Sequence, residues 1–159
     1  MNIEIIDNFL DKNYFQKINQ EFLSTNFPWY FHNGKVYEND GGIQFTHIFY
    51  NDYKVNSDYF FILEPLLNLL NIKSLVKIKL NFTPKETVLK QFGFHTDNKF
   101  NCKTAIFYLN TNNGKTIFKD LKDVNSVENK LVKFDSNIQH TGTSTTNKPY
   151  RMVLNLNYF

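Results

Sequence analysis

The stretch SLVKIKLNF, residues 74–82, decides the fold. Apolar Val76, Ile78, Leu80 and Phe82 alternate with Lys77, Lys79 and Asn81. A period of two predicts a strand with one face buried and one face polar. From this point onward the chain keeps that character. KETVLKQF (85–92) and KTAIFYLN (103–110) alternate in the same way, and TNNGK (111–115) reads as a turn. TIF (116–118), KLVKF (130–134) and RMVLNLNYF (151–159) complete the set. Several short strands divided by Asn, Gly and Pro turns predict an antiparallel sandwich or barrel.

Upstream the pattern differs. IEIIDNFL (3–10) predicts a strand. Asp11 is placed to cap a helix in which Phe15, Ile18, Phe22 and Leu23 recur at helical spacing, ending near residues 24–26. FPWYFHNGKVYENDGG (27–42) is aromatic and then turn-rich, with Asn33-Gly34 as a hairpin turn ahead of the strand IQFTHIFY (43–50). Ser57 is placed to cap a second helix over 58–71, which Pro65 either kinks or restarts. Helices first and strands after make an α+β pattern, with helices laid against a β core. No repeat or linker divides the chain. One domain over 1–159 is expected, with a helical region over about 1–72 and a β core over about 73–159.

Composition agrees. The chain has 159 residues, 42% of them hydrophobic and 17% aromatic, enough for one packed core. That content argues against disorder, despite the many Asn and Lys. The net charge of +3 shows no basic block. Lys73, Lys77, Lys79, Lys85 and Lys90 read as a solvated face, or as a docking surface for an acidic or nucleic-acid partner. Cys102 is the single cysteine, so no internal disulfide forms and a reducing compartment is expected. MNIEIIDNFL is too short and acidic for a signal peptide, and no apolar run approaches the ~20 residues of a membrane span. A cytoplasmic location is the expectation.

The chemistry concentrates in FGFHTDNKF (92–100). On extended chain, residues i and i+2 point the same way, so His95 and Asp97 can present an imidazole and a carboxylate to one ion. His140 follows the strand in KLVKFDSNIQH and begins a loop through Thr141, Gly142, Thr143 and Ser144. Two histidines and one carboxylate suit non-haem Fe(II) and O2 chemistry; zinc, with its preference for four ligands, is the second choice. His32 and His47 read as surface or structural histidines, Trp29 and Tyr30 as core, and Cys102 as a packed or surface thiol. Arg151 lies eleven residues after His140, at the start of an apolar strand with no local carboxylate. A ligand carboxylate gripped by its fork would satisfy it.

His95-x-Asp97, His140 and Arg151, in this order, resemble the 2-oxoglutarate/Fe(II)-dependent dioxygenases, and most of all their prolyl 4-hydroxylase-like branch. TAIFYLNTNNGKTIF (104–118) is similar to the segment that precedes the third ligand in that branch, and HTGTSTTNKPYRMVLNLNYF (140–159) resembles the C-terminal ends of small bacteriophage members. The resemblance covers residues 75–159 with specific motifs. It implies a double-stranded β-helix (jelly roll) with N-terminal helices packed against its major sheet. It implies Fe(II) on His95, Asp97 and His140, and 2-oxoglutarate and O2 as co-substrates. Arg151 and Tyr108 would hold the distal carboxylate of 2-oxoglutarate. Thr116 and Asn81 would lie near it, and alternation places Asn155 on the face of Arg151. The chain departs from many prolyl 4-hydroxylases in having arginine, not lysine, at 151, and in lacking long substrate loops. The activity implied is hydroxylation of a C–H bond with release of succinate and CO2. A peptidyl proline or other protein residue is the favoured substrate, with a nucleobase (oxidative demethylation) or a small metabolite as alternatives. The other classes are a non-catalytic jelly-roll binding or structural module of a phage and a cupin-type hydrolase or isomerase. A monomer or weak dimer in a host cytoplasm is expected.

Overall fold

The computed structural model describes residues 3–159. The elements run β1 (Glu4–Ile6), α1 (Lys12–Phe22), β2 (Tyr30–Gly34), β3 (Glu38–Asn51) and β4 (Lys54–Val55). A 3-10 turn (Asp58–Leu63) and α2 (Glu64–Leu69) follow. Then come β5 (Leu75–Pro84), β6 (Lys103–Tyr108), β7 (Lys115–Phe118), β8 (Val124–Asn125), β9 (Lys130–Asp135), β10 (His140–Gly142) and β11 (Tyr150–Tyr158). Two sheets form. The large one has the order β1-β9-β6-β11-β5-β3-β2, with β4 on β3; the small one has the order β10-β7-β8. All these pairings are antiparallel. The fold is α+β, and its two sheets form the expected jelly-roll core.

Alternation along β5, β6 and β11 fixes which face meets what. Ile78, Leu80, Ala105, Phe107, Met152, Leu154 and Leu156 are all wholly buried in one cluster with Ile18, Phe22, Leu63 and Leu66 of the helices. Phe15 of α1 meets Phe107 edge-on at 5.9 Å, and Phe22 meets Phe49 at 5.6 Å. Asp11 caps α1 by accepting from the backbone N–H of Asn13 and Tyr14. The helices therefore cover the outer face of the large sheet. The inner face is divided. Ile106, Tyr108, Val132, Phe134 and Val153 form a second apolar cluster with Phe118 and Val124 of the small sheet. The rest of that face is polar and lines a cavity of about 360 Å³.

Several expectations change. Residues 1–72 hold four strands as well as the helices, because β3 pairs with β5 and carries the N-terminal segment into the large sheet. The hairpin turn falls at residues 35–37 instead of Asn33-Gly34. There Asp40 clasps the turn by accepting from the backbone N–H of Lys35, Val36, Tyr37 and Gly42, while Gly34, at φ 120°, takes up a register shift. KETVLKQF is not a strand. Past Pro84 it makes only isolated bridges, from Lys85 to Thr145 and Gln91 to Thr143, and Val88 and Leu89 are exposed. Leu23 caps the end of α1 and is exposed. Of the two readings of Pro65, the restart holds: it opens α2 after the 3-10 turn. No helix among the described residues is long and apolar enough to cross a membrane.

Candidate active site

His95 and His140 face each other across an isolated antiparallel bridge. Each backbone N–H donates to the other's carbonyl at 3.0 Å. His140 is not in a loop, as the sequence suggested, but is the first residue of β10, paired with Phe118. Asp97 follows His95 by two residues, with its own N–H bound to the Ser136 carbonyl. The geometry brings the three side chains together. Asp97 Oδ1 lies 3.8 Å from His95 Nε2 and 3.7 Å from His140 Nε2. All three donor atoms fall within 4.8 Å of one another, the spacing of groups that share one ion.

The surroundings orient each donor. His140 Nδ1 lies 3.0 Å from the Ile138 carbonyl and His95 Nδ1 3.3 Å from the Gly93 carbonyl. A carbonyl only accepts, so in the neutral imidazole this contact favours the tautomer with the proton on Nδ1 and the Nε2 lone pair turned to the shared point. Asp97 Oδ2 accepts from Thr104 Oγ1 at 2.8 Å and Asn157 Nδ2 at 3.0 Å. Asn157 also donates to Thr104. One carboxylate oxygen is thus tied down and the other is left facing the imidazoles. Burial lowers the pKa of His140, and nearby His95 lowers it too, while Asp97 and the Ile138 carbonyl oppose the shift. The result favours the neutral imidazole a metal requires. The donor set and its supports therefore fit a divalent metal.

Arg151 is the second feature. It is 4% exposed, yet its partners are neutral. Nε donates to Ser126 Oγ at 2.8 Å and Nη2 to Thr116 Oγ1 at 3.3 Å, and the guanidinium lies 5.7 Å from the Tyr108 ring centre. Burial lowers its pKa, as expected for a cation with no counter-ion. Gly142 and Gly114 make room for it. A Cβ on Gly142 would lie 3.4 Å from Nη1, and one on Gly114 would lie 2.7 Å from Cδ. Gly142 is two residues along β10 from His140. One short strand thus carries both a histidine of the donor group and the glycine that lies against the guanidinium.

The other expected residues divide. Asn81 and Asn155 line the cavity with His95, Asp97 and Arg151. Asn155 Oδ1 is buried without a partner. Tyr108 and Thr116 lie outside the cavity lining. Tyr108 is wholly buried and donates to Thr116 Oγ1 at 2.7 Å. His47 is structural: it is buried, with Nδ1 2.8 Å from the Pro28 carbonyl and Nε2 2.7 Å from Ser57 Oγ. His32 is exposed on β2. Trp29 packs against Phe27 and Phe82, but Tyr30 is exposed and not core. Cys102 is a buried thiol outside the donor group.

Sequence reasoning missed Thr104, Asn157 and the lysines. Lys77 and Lys79 are not on a solvated face; they line the cavity with Lys35. Lys35 Nζ donates to Thr83 Oγ1 and lies 4.4 Å from the Phe92 ring centre. Burial lowers its pKa well below the usual lysine value, and the nearby Arg151 lowers it further. The one available signal was alternation, which sets Lys77, Lys79 and Asn81 on a single face.

No family model matches the chain, and no curated protein matches it in sequence. Solved structures match its fold over nearly its whole length. A prolyl hydroxylase from Trichoplax adhaerens, in complex with a hypoxia inducible factor oxygen degradation domain peptide fragment, gives a TM-score of 0.69 at 18% identity, over 99% of this chain and 83% of that one. An oxidoreductase of the 2OG-Fe(II) oxygenase family from Burkholderia pseudomallei gives 0.71 at 12% identity, over 98% and 84%. The viral collagen prolyl hydroxylase of Paramecium Bursaria Chlorella virus-1, solved as its 2OG complex, gives 0.65 at 13% identity, over 99% and 95%. The chain thus has the fold of the prolyl-hydroxylase-like 2-oxoglutarate/Fe(II) oxygenases, with a two-histidine, one-carboxylate group at the cavity, where His95 and Asp97 line the wall and His140 is buried behind them.

Proposed function

We propose that the chain is a 2-oxoglutarate- and Fe(II)-dependent oxygenase that hydroxylates a C–H bond of its substrate. The observation that carries this reading is the convergence of His95, Asp97 and His140 beside a buried Arg151 that has no anionic partner. His95 Nε2, Asp97 Oδ1 and His140 Nε2 would hold the iron, facing one side of it and leaving the other for ligands. Iron there, with 2-oxoglutarate and O2, supplies the oxidation of an unactivated C–H bond and yields succinate and CO2.

The protein's own residues bind, orient and exclude water. Arg151 takes the distal carboxylate of 2-oxoglutarate through Nη1, which has no hydrogen-bond partner within the described chain. Tyr108 acts behind it: its hydroxyl fixes Thr116, which in turn accepts from Arg151 and sets the plane of the guanidinium. Lys35, beside Arg151, adds an amine donor at that end of the cavity, where burial and Arg151 favour its neutral form. Thr104 and Asn157 hold the Asp97 carboxylate so that one oxygen faces the iron. Asn81 and Asn155 offer polar contacts along the floor. The fold shared with prolyl hydroxylases, one of them solved with a peptide, supports a protein side chain as the first substrate to try.

The test is an anaerobic titration of the protein with Fe(II) and 2-oxoglutarate, followed by visible charge-transfer absorption. A band that appears and that weakens in Arg151→Ala supports the reading. Folded protein that gives no band overturns it and brings the binding-module reading forward.

A further inference from the structure

The cavity wall carries four basic side chains, Lys35, Lys77, Lys79 and Arg151, against one carboxylate, Asp97. Iron(II), Asp97, Arg151 and a dianionic co-substrate balance one another in charge. The lysines remain over. Lys35 belongs to the Arg151 end, because its partner Thr83 pairs with Arg151 across β5 and β11. Lys77 and Lys79 lie at the other end. Their cross-strand partners are Asn157, which holds Asp97, and Asn155.

These two lysines are half-buried, and among the described residues neither side chain makes an ion pair or a hydrogen bond; the one carboxylate that attracts Lys79, Asp97, is committed to the two histidines and to Thr104 and Asn157. They are neighbours on one strand face, about 6–7 Å apart along the chain. Like charges set side by side in a wall partly shielded from water are unfavourable unless an anion offsets them. The buried Oδ1 of Asn155, opposite Lys79, has no hydrogen-bond donor among the described residues. On an outer surface two lysines would be ordinary; in the wall of a cavity lined by His95 and Asp97 they are not.

We propose, resting on the oxygenase reading for the reaction itself, that the substrate brings a carboxylate or phosphate into the cavity and sets it between Lys77 and Lys79. That contact would hold the reacting C–H at the metal end, while Arg151 and Lys35 keep the co-substrate at the other. The substrate class is therefore acidic: a carboxylate carried by a small molecule or a peptide side chain, or a phosphate ester.

The experiment uses protein loaded with Mn(II), a redox-inert stand-in, and saturated with 2-oxoglutarate. Inorganic phosphate and acetate are the probes, read by paramagnetic relaxation of phosphorus and of the carboxyl carbon. Saturable enhancement is expected for at least one probe. Lys77→Gln/Lys79→Gln should weaken its binding by about tenfold or more, and Lys79→Arg should preserve it. Enhancement that never saturates, or that the double substitution leaves unchanged in a folded protein, overturns the proposal. Displacement of acetate by a blocked Pro-Glu dipeptide would assign the acid to a peptide; saturation by phosphate alone would assign it to a phosphate ester. Mn(II) binding is read separately, from loss of the free-ion electron resonance. If the ion does not bind, the oxygenase reading fails, and calorimetry of both probes with metal-free wild type and double variant still decides the role of the lysines.

Discussion

Asp97 shows how one residue joins the metal group to the sheet. Its Oδ2 takes two hydrogen bonds from β6 and β11, through Thr104 and Asn157, and its Oδ1 faces two imidazoles. Asp97→Ala should abolish tight metal binding. Thr104→Val or Asn157→Leu leaves all three donors in place and should still weaken metal affinity about 10–100-fold, as read by competition with a metal indicator. Equal affinity in all three variants would remove Asp97 from the donor set. Arg151 allows a sharper contrast. A buried cation without an anion stabilises nothing by its charge, so Arg151→Met should leave stability unchanged or raise it by about 1–4 kcal/mol. The same change should weaken 2-oxoglutarate binding at least about tenfold. Urea unfolding and calorimetry would read the two effects, and an unchanged co-substrate affinity would refute the role given to Arg151. The donors and Arg151 were legible because their types and order carry the chemistry. Thr104 and Asn157 were not: they are ordinary strand residues until the register of β6 on β11 sets them beside Asp97. Lys77 and Lys79 were visible but misread, because alternation says that a face is polar without saying whether it meets water or a cavity.

Among the elements, the strands that pack on both sides were the readable ones. β5, β6, β9 and β11 alternate because one face meets the helices and the other the second sheet or the polar cavity, and their bounds agree with the sequence pattern within a residue or two. Lys85–Phe92 alternates too, but it runs beside Thr143 and Thr145 with isolated bridges only, and its apolar Val88 and Leu89 face outward. Periodicity without a partner strand cannot make a strand. β8 and β10, with two and three residues, are too short to show a period at all. Yet β10 carries His140 and Gly142, and β7 sits between β10 and β8. The turn into β7 is held by close packing. A Cβ on Gly114 would come within 2.6 Å of the Ser144 carbonyl oxygen and 2.7 Å of Arg151 Cδ. Backbone cannot yield there as a flexible side chain would. Gly114→Ala should cost about 1–3 kcal/mol in urea unfolding and should also weaken 2-oxoglutarate binding by displacing Arg151. Gly41→Ala serves as the comparison, since no atom lies within 4 Å of its added methyl and its φ of 76° confines the cost to the backbone. Loss of stability in both with co-substrate affinity lost in neither would show that Gly114 serves only the turn.

At the scale of the whole molecule, stability and site draw on opposite faces of one sheet. The outer face and helices supply the large apolar core, and the apolar half of the inner face closes the two sheets together. The other half holds a cluster of positive charge around an open cavity, which opposes folding until ligands arrive. Lys79 makes this measurable. Its pKa is lowered from the ordinary 10.5 to about 8, by burial first and by nearby Lys77, with Asp97 opposing the shift. A folded-state value below the unfolded one means that the unfolded chain binds more protons between about pH 8 and 10.5. Stability from this group therefore rises with pH across that window and is lost as pH falls through it, so at neutral pH the charged lysine is a liability to the ligand-free protein. Lys79→Gln should then be more stable than wild type at pH 7, and the difference should shrink steadily above pH 8 and vanish by about pH 10.5. Comparing the two proteins by urea unfolding at a series of pH values cancels the titration of the tyrosines, which both share. Adding an anion that binds Lys77 and Lys79 should also close the gap at pH 7, by stabilising wild type alone. A difference that persists unchanged to alkaline pH would mean that the substitution acts through packing, and that Lys79 carries no uncompensated charge into the cavity.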